Sequence, residues 1–204
     1  MNIAVFASGR GSNFQAILKA IDDGKLPARV SLLVSNNSNA GALELARSRN
    51  IPAIHLSQKQ FSSEETYGEQ LLDLLARHRV DLIALAGYMK RVPVMVIDRF
   101  RNKILNIHPA LLPSFGGAGM YGVHVHEAVL AAGVKISGAT VHIVDEKYDN
   151  GPIVMQKAVE ISKEDTPETL AAKILPIEHE IYPQALAAFA GNRVHVEGRK
   201  VWIQ

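Results

Sequence analysis

The sequence predicts an α/β protein built on a doubly wound, mostly parallel sheet, with an antiparallel addition and a small C-terminal hairpin. Three observations carry that expectation. Short apolar runs alternate with segments of helical periodicity over residues 2–100, the pattern of strands joined by crossover helices. A glycine-rich turn separates the first run from the first helix. Two apolar runs, 137–144 and 153–159, are joined by a connection too short for a crossover, so they must pair antiparallel.

Residues 2–7 form the first run and end in Ser8-Gly9-Arg10-Gly11-Ser12-Asn13. Phe14, Ile17, Leu18 and Ile21 follow at helical spacing, and Ser12 with Gln15 fits a capping box that starts the helix at Ser12. Glycines let backbone N–H groups approach an anion, and a helix N-terminus adds a positive field, so the turn suits a phosphate. It is neither GxGxxG nor a Walker sequence, and an unliganded turn is the competing reading. Residues 30–34 read as a second strand, 42–48 as a short helix and 53–56 as a third strand. Ser62 with Glu65 fits another capping box, opening a helix with Tyr67, Leu71, Leu74, Leu75 and His78 on one face. His78 is read as a helix-end residue. Residues 81–86 are apolar on both faces, as a central parallel strand should be, and lead into Gly87-Tyr88-Met89-Lys90-Arg91-Val92. Pro93 suits the start of a helix over 93–100.

Lys103-Ile104-Leu105 opens a fifth strand that stops at Asn106-Ile107-His108-Pro109, because proline donates no ladder hydrogen bond. Alternation places Asn106 and His108 on one face and Ile107 on the other. In open α/β sheets ligands bind at the carboxyl ends of strands. An amide N–H₂ and an imidazolium N–H aimed at one point make an oxyanion site with a proton donor. The alternative is a plain turn before proline. The glycine-rich loop 116–122 is expected to be mobile or ordered by ligand, and 123–132 to be helical. His124 and His126 are two apart, so they do not share a helix face, and no metal site is expected there.

Thr140 and His142 share a face of the strand over 137–144. The acidic turn 145–152 offers Asp149, read either as a carboxylate that raises an imidazolium above the usual ~6.5 or as a turn former. The last helix begins around 165–168 and carries Leu170, Ile174, Ile177 and Ile181. It is expected to kink or break at Pro176 and Pro183, with Glu178 and His179 between them. Residues 193–196 and 200–203 read as the terminal hairpin.

A chain of 204 residues with 48% hydrophobic and 21% charged side chains fits one soluble domain that buries a full core. Lys+Arg 22 against Asp+Glu 20, net +2, argues against nucleic acid or an anionic membrane as partner. No cysteine is present, which removes disulfides and thiolate metal sites and makes the cytoplasm the expected compartment. The start lacks a signal-peptide pattern, and no apolar stretch approaches membrane-spanning length.

Taken together, the 8–15 segment, Ala86-Gly87-Tyr88-Met89, Asn106-Ile107-His108-Pro109 through Pro113, His142-Ile143-Val144, Asp149-Asn150-Gly151-Pro152 and Glu178-His179-Glu180-Ile181-Tyr182-Pro183 resemble the phosphoribosylglycinamide formyltransferase family. The resemblance covers nearly the whole chain in order. It implies a Rossmann-like formyltransferase fold in a single domain, 1–204, with a nucleotide half at 1–100, a catalytic and folate half at 101–190 and the hairpin at 191–204. It also implies formyl transfer from 10-formyltetrahydrofolate to the amine of glycinamide ribonucleotide in purine synthesis, without a metal, by a monomer or homodimer. Residue by residue, it implies that Gly11, Ser12 and Asn13, with Lys103 and Glu178, bind the nucleotide. Met89, Lys90, Arg91, Val92 and Asn106 would hold the folate. Asn106 and His108 would be catalytic, with Asp149 raising the histidine's pKa. The chain departs from the family pattern at 116–122, at Lys90-Arg91 and at Glu64. The rival expectations are a formyltetrahydrofolate hydrolase or tRNA formyltransferase, each with an extra domain not expected here, a ligand-binding regulator, and a metal hydrolase built on His108, His124, His126 and His142.

Overall fold

Strand and helix alternate from the second residue of the computed structural model, which describes all 204 residues. Two units cluster separately, Met1–Leu105 and Asn106–Gln204. The first holds β1 (Asn2–Phe6), α1 (Ser12–Asp22), β2 (Arg29–Ser35), α2 (Gly41–Ser48), β3 (Ala53–His55), α3 (Glu64–Arg77), β4 (Leu82–Leu85) and α4 (Val94–Arg99). Its strands run in the order β3-β2-β1-β4, every pair parallel. Residues Ile3 to Phe6 of β1 and all of β4 are buried on both faces, which is why these segments lack a polar alternation. The parallel order brings the loops after β1, β2 and β4 to one rim.

Helix α1 begins at Ser12 as its periodicity predicts, but the capping box does not form. Gly11 is the cap, left-handed at φ 87, with no side-chain hydrogen bond. Glycine suits that place twice over, since a Cβ would also meet the Cβ of Ala42 at 3.0 Å. The cap of α3 lies one residue beyond the expected Ser62: Ser63 Oγ accepts the Thr66 N–H at 3.1 Å. A short 3₁₀ turn, Gln58–Gln60, with its own Ser57 cap, takes up the chain just before it.

Strand β5 (Ile104–His108) leads into the second unit, which continues with α5 (Val123–Ala131), β6 (Ile136–Ile143), β7 (Ile153–Glu160), α6 (Pro167–Ala190) and the hairpin β8 (Val194–Glu197) and β9 (Lys200–Ile203). The sheet strands here follow the order β5-β6-β7, and β6 and β7 are antiparallel, as their short connection requires. Seven strands thus make a mostly parallel sheet, with β8 and β9 forming a separate two-stranded one. No helix is long and apolar enough to cross a membrane.

The expected break in the last helix is absent. Helix α6 runs unbroken for 24 residues with Pro176 and Pro183 inside it. Each proline removes one intrahelical donor. Against that loss, Leu170, Ile174, Ile181, Tyr182, Ala185 and Leu186 are buried where α6 packs on α5, β6 and β7. Burial of six such side chains outweighs two missing hydrogen bonds. Thr166 and Thr169 cap the helix reciprocally. At the other end of this unit, β9 lies against β7, and Arg199 donates to the carbonyl of Asn150 at 2.7 Å.

Close strand approach gives a direct test. A Cβ on Gly138 would stand 2.1 Å from the Lys157 carbonyl oxygen across the β6–β7 ladder. Gly138→Ala should therefore destabilise the protein by about 2–3 kcal/mol, read as a lowered urea midpoint with an unchanged slope.

Candidate functional site

The chemistry-bearing side chains of the second unit converge at the carboxyl end of β5. Asn106 and His108 share a strand face there, and Ile107 is buried on the other. After Pro109 the chain is pinned by two residues of the β6–β7 ladder that stand opposite one another, Thr140 and Gln156. The Thr140 hydroxyl donates to Ala110 O at 2.6 Å and accepts from Leu112 N at 3.0 Å. Gln156 Nε2 donates to Leu112 O at 2.9 Å and to Thr140 Oγ1 at 3.0 Å. These bonds, buried at Thr140, fix the direction in which β5 delivers its last residues.

Asp149 comes from the β6–β7 turn, in the left-handed region at φ 50. The turn is closed by Asp145, which accepts from Lys147 N at 2.9 Å and Asn150 Nδ2 at 2.7 Å. It is tight enough that a Cβ on Gly151 would lie 1.9 Å from Ile143 O. The Asp149 carboxylate is 11% exposed and faces two buried imidazoles, with Oδ2 3.6 Å from His108 Nδ1 and Oδ1 3.6 Å from His142 Nε2. Oδ2 also accepts the Gly117 N–H at 2.9 Å, and Asn106 Nδ2 reaches Oδ1 at 3.5 Å. Burial alone would raise this carboxyl. The neighbouring imidazoles of His142 and His108 and the Gly117 N–H overcome burial and hold it below the usual carboxylate range.

Carbonyl partners fix which imidazole nitrogens carry hydrogen. His142 Nδ1 donates to Ile143 O at 3.0 Å, which leaves Nε2 of the neutral ring to accept Asn106 Nδ2 at 3.1 Å. His108 Nε2 donates to Phe115 O at 2.8 Å, and its Nδ1 looks at Asp149. Burial pushes His108 below its ordinary value, and this outweighs Asp149 and the Phe115 carbonyl, which both pull it upward; His142 adds to the lowering. Asp149 thus pulls the histidine upward, but burial, the larger effect, leaves it lowered. Segment 115–117 supplies a carbonyl to the imidazole and an N–H to the carboxylate, the complementary pair to those two groups.

In the first unit, Gly11 and Asn13 are buried and Ser12 half-buried where α1 begins at the end of β1. Met89, Lys90 and Arg91 are exposed after β4, but Val92 is buried. Lys103 is not brought to the phosphate-type loop. Its carbonyl accepts the Ile83 N–H at 2.9 Å, and Ile83 stands beside Ala4 at the start of β1. The 8–13 loop leaves the opposite end of β1, four residues or about 13 Å away at ~3.3 Å per residue. In the second unit, Glu178 is half-buried on α6. His124 lies at the surface beside Glu127 while His126 is buried, so the His-x-His pair points two ways.

Sequence reasoning missed Gln156, Phe115 and Gly117, and treated Thr140 only as a strand residue. The Thr140–Gln156 pairing depends on the β6–β7 register, and the two loop contacts are made by backbone atoms that any sequence possesses.

Residues 1–186 match the family described as Formyl transferase. The chain is 45% identical over 193 residues to the chloroplastic phosphoribosylglycinamide formyltransferase of Arabidopsis thaliana, covering 94% of this chain and 66% of that protein. It is 40% identical over 188 residues to phosphoribosylglycinamide formyltransferase of Bacillus subtilis, covering 92% of this chain and 94% of the relative. Among solved structures, glycinamide ribonucleotide transformylase 1 from Symbiobacterium toebii superposes with a TM-score of 0.93 at 41% identity, covering 100% of this chain and 93% of that one. The chain thus spans nearly all of the bacterial relatives and 66% of the plant protein.

The buried histidines generate a pH prediction. Burial lowers His108, His126 and His179 below the ordinary 6.5. Each binds its proton less readily in the folded chain than in the unfolded one, so protonation favours unfolding. Their contribution to stability is complete above pH ~6.5 and is lost as the pH falls through the lowered values. Asp149 acts in the same direction further down, its contribution vanishing below its lowered value. Urea unfolding at about pH 7.5 and about pH 5.5 should show lower stability in acid. His126→Asn should flatten that slope.

Proposed function

The chain belongs to the formyl transferase family, and on that premise we propose that it is a phosphoribosylglycinamide formyltransferase of purine (IMP) biosynthesis. It moves the formyl group of 10-formyltetrahydrofolate to the amine of 5-phosphoribosylglycinamide. The observation that carries this reading is the Asn106, His108 and Asp149 constellation, an amide donor and an imidazole governed by one buried carboxylate. Gly11, Ser12 and Asn13 take the nucleotide phosphate on backbone N–H groups at a helix start, and Glu178 takes its ribose. Met89, Lys90, Arg91 and Val92 hold the folate with Asn106. Lys103, at the far rim of the first unit, drops out of the nucleotide site.

Amine attack on the formyl carbon gives a tetrahedral carbon bearing an oxyanion. Asn106 Nδ2 and protonated His108 stabilise that charge, donors of a kind worth about 3–4 kcal/mol each. The oxyanion is a second negative charge beside His108, and it raises the imidazole further as it forms. His108 then supplies the proton that the departing folate nitrogen needs, and the proton that the attacking amine loses restores the imidazolium. Since Nε2–H is bonded to the Phe115 carbonyl, donation from that atom requires the carbonyl to give way to substrate. The enzyme is read as one formyltransferase domain, cytoplasmic, working on small molecules as a monomer or homodimer.

The test follows folate absorbance as 10-formyltetrahydrofolate is mixed with the protein, with and without glycinamide ribonucleotide. Deformylation that depends on the nucleotide supports the reading. Equal deformylation without it indicates a hydrolase and overturns the reading. His108→Ala should cost on the order of 10²–10⁴ in kcat. Asp149→Asn removes the charge that raises His108, so the protonated form is lost at a lower pH. Its rate at neutral pH should fall, and the alkaline limb of its pH–rate profile should move downward.

A further inference from the structure

Ser8 lies between the two ligand loops of the first unit, and every polar group it owns is engaged. Its N–H donates to Gly87 O at 3.1 Å, and its carbonyl accepts from Asn37 Nδ2 at 3.4 Å. Its hydroxyl has one hydrogen, which goes to Asn36 Oδ1 at 2.5 Å. The hydroxyl oxygen in turn accepts the N–H of Met89 at 2.8 Å. A chain of bonds therefore runs from Met89 N–H through the Ser8 hydroxyl to Asn36 Oδ1, each polarising the next. It ties the first residue of the 89–92 loop to the ends of β1 and β2. Gly87, left-handed at φ 71, lets the chain double back so that residues 87 and 89 both meet Ser8. With nothing left to offer a ligand, Ser8 acts through what it holds.

We propose that the Ser8 hydroxyl is a positioning group that sets the 89–92 loop against the nucleotide loop, so that occupancy of one loop changes affinity at the other. This rests on the reading that 11–13 take the nucleotide and 89–92 the folate. Residues 9–13 follow Ser8 directly, and Ala42 N donates to Gly9 O at 3.2 Å at the start of α2, so the nucleotide loop has independent support. The 89–92 loop departs from Ser8 at its first residue. Loss of the hydroxyl should therefore be felt at the folate, although Ser8 belongs to the nucleotide loop. Any coupling through it is reciprocal in binding.

The test measures binding of tetrahydrofolate and of glycinamide ribonucleotide, each alone and with the other present, to the wild-type chain, Ser8→Ala, Ser8→Thr and Asn36→Ala. Ser8→Ala should weaken tetrahydrofolate about tenfold, by stranding the Met89 N–H, and change nucleotide binding less than about twofold. The change that each ligand makes in the other's affinity should shrink towards none. Ser8→Thr keeps the hydroxyl and should recover most of the affinity, and Asn36→Ala should fall between. Equal weakening of both ligands, no weakening of either, or a threonine variant as poor as the alanine one overturns the positioning role. A wild-type chain that binds neither ligand refutes the functional reading itself, before any variant is compared.

Discussion

Asp149 is a charge taken almost out of water, and the second unit is arranged around keeping it there. A buried carboxylate without partners would pick up a proton or drive the turn into solvent. Two imidazoles, an amide and a backbone N–H surround it instead. Much of the local sequence follows from this. The turn needs a residue tolerant of left-handed backbone where the carboxylate leaves the chain, and aspartate is one of the few. It needs no side chain at 151, where Ile143 O already occupies the space. His142 must turn its Nδ1–H back onto its neighbour's carbonyl, so that its other nitrogen is free for Asn106.

His108 lives under opposed forces. Dryness favours its neutral form, the carboxylate favours its charged form, and dryness prevails. An imidazole held this way takes up a proton most readily when a further negative charge arrives beside it. The 115–117 segment, occupying Nε2 of the imidazole and Oδ2 of the carboxylate, gives both groups partners meanwhile. A buried acid–base pair thus avoids standing unsatisfied.

Much of this could be read in the amino-acid order because local chemistry dictates it. The all-apolar runs of β1 and β4 have no other stable home than a doubly covered parallel strand, and Asn106-x-His108 before proline fixes a shared face and an end. The short 145–152 connection forces β6 and β7 to run in opposite directions. Other features depend on long-range facts. The cap of α3 falls on Ser63 and not on the expected Ser62, a one-residue shift that the spacing of polar residues does not resolve. Pro176 and Pro183 would end an isolated helix, whereas α6 is held by what it packs on. Lys103 has the right charge for a phosphate but stands at the wrong end of its strand, which spacing alone does not reveal. The roles of Ser8, Thr140 and Gln156 arise from pairings across the chain and leave no mark on their neighbours in sequence.

The terminal hairpin carries a consequence of a different kind. Strand β7 closes the strand order, and the edge of a sheet is a template on which another chain can grow. Strand β9 lies along β7 without joining its ladder, Lys157 and Glu160 put charge on the same strand, and Arg199 fastens the hairpin to the 145–151 turn. The hairpin and these charges therefore blunt that edge where β9 meets β7. Trimming the hairpin would do its harm first through solubility, as uncovered edges of neighbouring copies met.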